Sequence, residues 1–414
     1  MRTIRSRWSL LVAVVTAVVV VSLLFFFLHD TPTLHYQKPH AAYRRGWNLA
    51  RLSQSTAKTS SSTTADPHPT GVSRKVIVVS LARSGSSLTG DIISHGPSVY
   101  YVYEPLRQSE INMWADYERR QKQNTTHGMK AVVEWRSNAT NMLRSFLSCN
   151  FRDLDPNDLD IIYLRKFPRT RRFAQCAEDA VRKNTTTINA ACLIHTESMC
   201  QKAKVKLIKV IRLGLRDLEP LLKEYPDLVL ILLARDPRAS VWSRIVVFNE
   251  EKAHNQSSFV HGMCNRLDDD ISSLGELRHR YPGRVRLLRY EALAENPVKV
   301  SKLLYRFLGL KWNNHAEYLV RRQTSASVSQ IKALKETNKT VPYSVWREDS
   351  LKASRAWKRD VDWLFVKTAQ EKCFGVMRQL GYTLFRHEAD LRDNTTKSFD
   401  HQQSLLGDDT VWLQ

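Results

Sequence analysis

Three textures of apolar and polar residues follow one another along the chain. Residues 9–28 are an unbroken apolar run, LLVAVVTAVVVVSLLFFFL after Ser9, interrupted only by small hydroxyl side chains. At ~1.5 Å rise per residue, about 20 residues span the ~30 Å hydrocarbon core of a bilayer. Arg2, Arg5 and Arg7 precede the run, so residues 1–8 read as a cytoplasmic tail and 9–28 as a transmembrane signal-anchor. A cleaved signal peptide is the alternative, but the run exceeds an ordinary signal core and HDTPTLHY after it offers no small-x-small cleavage site. A span of this length suits the thinner early-secretory bilayer, which points to the Golgi.

Residues 29–74 form the second texture. LSQSTAKTSSSTTADPHPTG is rich in Ser, Thr and Pro and too poor in large apolar residues to build a core, as in a stem. From Lys75 a third texture begins. Residues 75–82 are a short, continuous, β-branched apolar run, the pattern of a strand buried on both faces. Similar runs recur at 99–103, 205–211, 228–234 and 285–290, with helical spacing at 215–224, 237–247 and 297–308. This alternation predicts an α/β domain with a central parallel sheet flanked by helices, over 75–385. Within it, residues 110–200 are polar and basic and read as a variable helical insertion. Trp346, Trp357, Trp363 and Phe365 open a segment (341–384) expected to pack back on the sheet, and 386–414 reads as a tail.

Charge narrows the partner. Lys plus Arg number 63 against 41 acidic residues, a formal net charge of +22, so an anionic partner is expected. Six sequons follow the anchor, at Asn124, Asn138, Asn184, Asn255, Asn338 and Asn394, and predict a glycosylated lumenal domain. Cys149, Cys176, Cys192, Cys200, Cys264 and Cys373 also lie beyond it, where an oxidising lumen favours disulfides over any of 15 connectivities. No CxxC or HxxxH spacing suggests zinc. A lumenal domain leaves no role for nucleic acid. An anionic or neutral glycan remains, with no indication of oligomeric state.

The chemistry concentrates just after the first strand. Leu81-Ala-Arg-Ser-Gly-Ser-Ser-Leu88 joins that strand to a helix, where consecutive backbone N–H groups and a helix N-terminus converge on negative charge. Gly85 permits close backbone approach, Ser86 and Ser87 add hydroxyl donors, and Arg83 adds a fixed cation. An ordinary turn would explain Gly85 alone. GxxxxGK[ST] is absent, so this is not a Walker loop, and no metal is expected beside it.

ARSGSSL resembles the 5′-phosphosulfate loop of the carbohydrate sulfotransferases that modify the 6-hydroxyl of galactose, N-acetylgalactosamine or N-acetylglucosamine. A second block, LILLARDPRASVWSR over 230–244, resembles that family's 3′-phosphate element. Tyr103-Glu-Pro-Leu106, Lys206-Leu-Ile-Lys-Val-Ile-Arg212, Arg289-Tyr-Glu-Ala-Leu293 and Leu-Gly-Tyr382 follow the family's order, so the likeness spans roughly 75–385. One departure is Ala82-Arg83, where relatives often carry Thr-Arg; the 110–200 segment is less familiar and leaves acceptor identity open. The resemblance implies a P-loop-like sulfotransferase fold. It also implies a donor, 3′-phosphoadenosine-5′-phosphosulfate (PAPS), released as adenosine 3′,5′-bisphosphate (PAP). Donor contacts would come from Ala82, Arg83, Ser84, Gly85, Ser86, Ser87 and Leu88 at one end, and from Arg235, Asp236, Pro237, Arg238 and Ser243 at the other.

Sulfonate transfer needs alignment, stabilisation of charge on the leaving oxygen, and removal of a hydroxyl proton. Arg83 and Lys209 are candidate cations for the second task. Glu104, at the end of the second strand and fixed by Pro105, is the candidate base. A structural carboxylate paired with an arginine is the competing view of Glu104, with His127 and His195 as other bases. The run Arg165-Lys-Phe-Pro-Arg-Thr-Arg-Arg172 is either a contact for an acidic glycan or a solvated face. Two other functions compete. Asp268-Asp-Asp270 mimics the DxD metal site of a nucleotide-sugar glycosyltransferase, though in a helical context, and a non-catalytic glycan-binding protein would not need both phosphate elements.

Overall fold

The β-branched runs become five strands of one parallel sheet, in a computed structural model that describes residues 74–122, 125–248, 256–337, 345–393 and 395–400. The signal-anchor at 9–28, the stem up to residue 73, and Asn124, Asn255, Asn338 and Asn394 lie outside the described residues. No described helix is long and apolar enough to cross a membrane.

Strand β1 (Arg74–Ser80) leads through a short loop into helix α1 (Ser86–Ser94) and then β2 (Val99–Tyr103). A helical excursion follows: α2 (Arg107–Gln121), α3 (Thr125–Ser148), α4 (Ile161–Lys166), α5 (Pro168–Arg182) and α6 (Ala190–Gln201). The chain returns as β3 (Val205–Val210), α7 (Glu219–Glu224), β4 (Leu228–Ala234), α8 (Pro237–Phe248), α9 (Gln256–Arg280) and β5 (Val285–Arg289). Helices α10 (Tyr290–Glu295), α11 (Pro297–Phe307) and α12 (Asn314–Thr324) complete the layer beside α1, and shorter helices follow to residue 392.

Sheet order is β2-β3-β1-β4-β5. The chain therefore leaves β1 toward one edge and crosses back over it to reach β4. Where connections diverge in this way, a crevice opens at the C-terminal ends of the strands. Register fixes what faces it: Lys209 lies beside Tyr103 on one side and Val78 on the other. Side-chain period two sends Val205, Leu207 and Lys209 to the α1 face.

Both faces are covered, which explains why the strands read as continuous apolar runs. On one face Leu88, Ile92 and Ile93 of α1 pack with Val76, Val78, Val229, Ile231 and Leu304. On the other, Ile77, Val79, Leu230 and Leu232 meet Ile271 and Leu274 of α9 and the insertion's Phe146 and Phe173. Each such buried side chain contributes roughly 1.5–3 kcal/mol.

Of the sequence-based boundaries, two differ in an instructive way. The first strand ends at Ser80 rather than 82, because Arg83 takes a positive φ of 68° that breaks the extended run. The helix expected over 215–224 divides into a 3-10 turn (Arg216–Leu218) and α7, whose first turn contains Pro220. Proline lacks the N–H needed to continue a helix from the preceding turn.

Three disulfides form: Cys149–Cys200, Cys176–Cys192 and Cys264–Cys373. The first two lie within the insertion, and the third ties α9 to the C-terminal helices. Cys149–Cys200 closes a separation of 51 residues around a polar, helical segment. Replacing both partners by serine is expected to cost about 2–5 kcal/mol, read as a lower thermal midpoint without reductant. An unchanged midpoint would contradict the pairing.

Candidate functional site

The loop after β1 is built on two left-handed residues, Arg83 (φ 68°) and Gly85 (φ 87°). Gly85 is a steric necessity: a Cβ there would sit 2.2 Å from Cδ2 of Tyr290. Arg83 pays a conformational cost of about 1–3 kcal/mol for that φ, so its neighbours must hold it. They do so at both ends. Arg235 Nη1 donates to the Arg83 carbonyl at 2.8 Å, and Arg83 Nε donates to Ser243 Oγ at 3.1 Å. Beside them Ser84 Oγ lies 3.5 Å from Ser240 Oγ. Gly85 is the N-cap of α1 and no side chain caps the helix, so its first-turn N–H groups face the crevice without a side-chain acceptor. Ser84, Ser86 and Leu88 are buried, whereas Ala82, Arg83, Gly85 and Ser87 are partly exposed along the loop.

Arg235 follows β4 and reaches the loop from the second element. Its guanidinium lies 4.7 Å from the Tyr290 ring centroid, so one tyrosine packs on both Gly85 and Arg235. Arg235 Nε is buried with no hydrogen-bond partner. An orphaned buried donor, a cradle that any Cβ would fill and an uncapped helix start all fit a doubly phosphorylated nucleotide held between the two elements.

Asp236 and Arg238, also expected among the donor contacts, bond to one another and to the C-terminal segment rather than to the loop after β1. Asp236 is buried and takes two bonds from a fully buried Arg238, Nε to Oδ1 at 3.0 Å and Nη2 to Oδ2 at 2.7 Å. Arg238 Nη1 continues to Gln370 Oε1 at 2.8 Å and the Thr383 carbonyl at 2.9 Å. Pro237 opens α8 above this pair. Asp236 and Arg238 thus anchor the C-terminal segment. Tyr382 joins the same anchor through Glu291 Oε2 at 3.0 Å, where burial first and the nearby Asp236 second raise the Glu291 pKa.

At the other end of the crevice β2 and β3 bring Tyr103, Glu104 and Lys209 together. Lys209 Nζ donates to Ser87 Oγ at 3.1 Å, and Ser87 shares a 2.9 Å hydrogen bond with the Tyr103 hydroxyl. Glu104, at φ 45°, pairs through one oxygen with Lys209 and through the other with Arg212 Nη1 at 2.9 Å. Arg212 also holds Glu110. Burial pushes the Glu104 carboxyl up, but Lys209 and Arg212 overcome it and bring its pKa down to about 2. Burial lowers the Lys209 ammonium, with Glu104 opposing. The carboxylate is therefore ionised and engaged by two cations, one of them an arginine as the structural view of it expected.

Other candidates fall elsewhere. His195 is exposed on α6, and the side chain of His127 is outside the described residues. Asp268 and Asp269 are exposed on α9, whereas Asp270 is buried and accepts from the Leu215 N–H at 2.8 Å and Arg266 Nε at 3.2 Å. The three carboxylates do not converge, and among the described residues no cluster of His, Cys, Asp or Glu is able to hold a metal. Asn138 and Asn184 are exposed. Sequence reasoning passed over Tyr290 as a strand end and Arg212 as a mere landmark. Arg212 lies three residues beyond Lys209, a spacing that carries no meaning until the turn after β3 brings it to Glu104.

Comparison with known proteins places the sequence beside others. The profile of the Sulfotransferase family matches residues 75–314, which include the loop after β1, the RDPR block and the Glu104–Lys209 pair. Carbohydrate sulfotransferase 1 of Mus musculus is 24% identical over 356 residues, covering 78% of this chain and 83% of the relative. Carbohydrate sulfotransferase 5 of Mus musculus is 26% identical over 360 residues, covering 78% and 85%. Among solved structures, mouse sulfotransferase SULT7A1 complexed with PAP is similar over 74% of this chain and 84% of that one, at 14% identity and a TM-score of 0.38. The chain belongs to the sulfotransferase family.

Proposed function

We propose that this sulfotransferase moves sulfonate from PAPS to a sugar hydroxyl, the 6-hydroxyl of N-acetylgalactosamine, galactose or N-acetylglucosamine in glycosaminoglycan or glycoprotein glycans. The observation that carries the reading is the 3.1 Å contact between Arg83 and Ser243, which joins two elements 160 residues apart across the crevice. The names of its relatives support a carbohydrate acceptor. The apolar run at 9–28, the stem and the six sequons support a Golgi type II membrane protein with a glycosylated lumenal domain.

PAPS supplies an activated sulfonate whose departure leaves charge on a phosphate oxygen. The residues of this chain divide the remaining work. Arg235 and Ser243 bind the 3′ end, and the α1 amides with Ser86 and Ser87 bind the 5′ end. Arg83 and Lys209 offer fixed positive charge where negative charge develops, an arrangement that needs little reorganisation during reaction. Glu104 takes the hydroxyl proton. Its two cations keep it ionised but weaken it as a base, so a shift of Lys209 toward an anionic donor strengthens Glu104 as a base.

Three outcomes test this reading. PAP should bind the detergent-solubilised chain in calorimetry, and Gly85→Ala should lose at least tenfold in affinity, because its Cβ collides with Tyr290. Wild-type protein with no affinity for PAP would end the proposal. Glu104→Gln should lower kcat about 10²–10⁴-fold with PAP affinity held within a few-fold; near-normal turnover would assign the proton elsewhere. The same variant has a stability signature. A carboxyl depressed from 4.5 to about 2 stabilises the fold fully above pH 4.5 and ceases to do so as pH falls through about 2. Acid unfolding should therefore show wild type and Glu104→Gln converging across that window, whereas a constant gap would contradict the ion pair.

A further inference from the structure

Of the basic run Arg165–Arg172, Lys166 turns its ammonium onto the Tyr103 ring. Arg165 is exposed and pairs with Glu178, and Arg171 and Arg172 face solvent. Lys166 ends α4, and the extended Phe167 (φ −107°, ψ 136°) then redirects the chain into α5. That bend lays the end of α4 over the end of β2. The Phe167 ring lies 4.6 Å from Tyr101 and 5.6 Å from Tyr103, and Tyr163 lies 5.0 Å from Tyr103. Asp160 fixes the helix from its start, capping the Tyr163 N–H at 2.9 Å while pairing with Arg107 at 2.6 Å. The wall is thus held on two sides.

Lys166 Nζ sits 4.5 Å from the Tyr103 ring centroid, and Lys209 Nζ sits 4.1 Å from the same centroid. Lys209 has Glu104 and Ser87. Lys166 has neither a hydrogen bond nor an ion pair with any described residue, only the rings of Tyr103 and Phe167. Burial lowers its pKa, and of the charges that face it Asp91 and Glu104 oppose that shift while Lys209 adds to it. A half-buried ammonium whose nearest carboxylates lie beyond hydrogen-bond and ion-pair distance is costly to maintain unless an anion completes its shell. Its side of the crevice belongs to the insertion, and the phosphate loop begins beyond Tyr103, at Ser87.

We propose that Lys166 is the acceptor-side cation, engaging a carboxylate or sulfate on the sugar acceptor while the half-buried Tyr163 and Phe167 rings, seated on the buried Tyr103, offer apolar faces to the pyranose. This specificity role rests on the sulfonate-transfer reading above. It gives Lys166 and Lys209 separate anions: one belongs to the acceptor, the other to the donor.

The test uses the full chain in detergent with chondroitin and keratan-type oligosaccharides, each assayed beside its carboxyl-reduced or desulfated counterpart. Wild type should prefer the anionic form, with KM for that form rising with ionic strength. Lys166→Met should shrink the preference about tenfold through KM, the worth of one charge-assisted hydrogen bond, and Lys166→Arg should retain most of it. The carboxyl-reduced and desulfated arms tell a uronate from a sulfate ester. Equal losses on charged and neutral forms would overturn the proposal by assigning Lys166 to the donor or the fold, as would an unchanged preference or a wild type that favours neutral acceptors. PAP calorimetry on wild type separates the two levels: absence of binding overturns sulfonate transfer itself, whereas binding with no anionic preference overturns only the role of Lys166.

Discussion

The hydrogen bond from Arg235 to the Arg83 carbonyl holds the site together. It fixes a left-handed residue that would otherwise relax, and with Arg83 fixed, Gly85 brings the start of α1 to the crevice. Tyr290 makes the same join sterically, lying against Gly85 on one side and the Arg235 guanidinium on the other. Three strands thus meet at one point: β1 through its loop, β4 through Arg235 and β5 through Tyr290. They can meet only because β1 lies inside the sheet with β4 beside it and β5 next.

Electrostatics divides the crevice into two regimes. Beneath the RDPR block the buried charges are closed on themselves, Asp236 with Arg238, and serve to attach the C-terminal segment. Closed pairs of this kind stabilise little in net terms, yet loss of one partner would strand the other in a low-dielectric interior. At the β2–β3 end the charges alternate: Lys209, Glu104, Arg212, Glu110. This chain is open at Lys209, which also reaches Ser87 on the phosphate loop. An ion pair that ends in a cation facing the loop can exchange partners, whereas one sealed at both ends cannot.

The helical insertion meets the sheet chiefly through aromatic contacts, joined by one buried hydrogen bond between the Tyr100 hydroxyl and Thr196 Oγ1 at 3.0 Å. Tyr101 and Tyr103 of β2 pack on Phe167 and Tyr163, and Tyr100 stacks on Phe151 with centroids 6.0 Å apart. Two disulfides brace the segment internally. A module bound in this way can vary in sequence without disturbing the strand order, while still laying side chains such as Lys166 over the end of β2.

Local sequence alone determined the strands, the phosphate loop and most of the helices. A strand buried on both faces must be apolar throughout, and a tight turn with positive φ must carry glycine at its closest approach, so both leave marks over a few adjacent residues. Gly85 was legible for that reason, whereas Arg235 was singled out only by family resemblance. The division of labour within RDPR was not legible, because Arg235 and Arg238 are the same residue type three positions apart and differ only in what packs around them. The disulfide pairing, the double clamp on Glu104 and the inward turn of Lys166 were likewise decided by tertiary structure. Each depends on residues between 16 and 109 positions apart being brought together, as with Cys176–Cys192 and Cys264–Cys373, and short-range pattern carries no record of such distances.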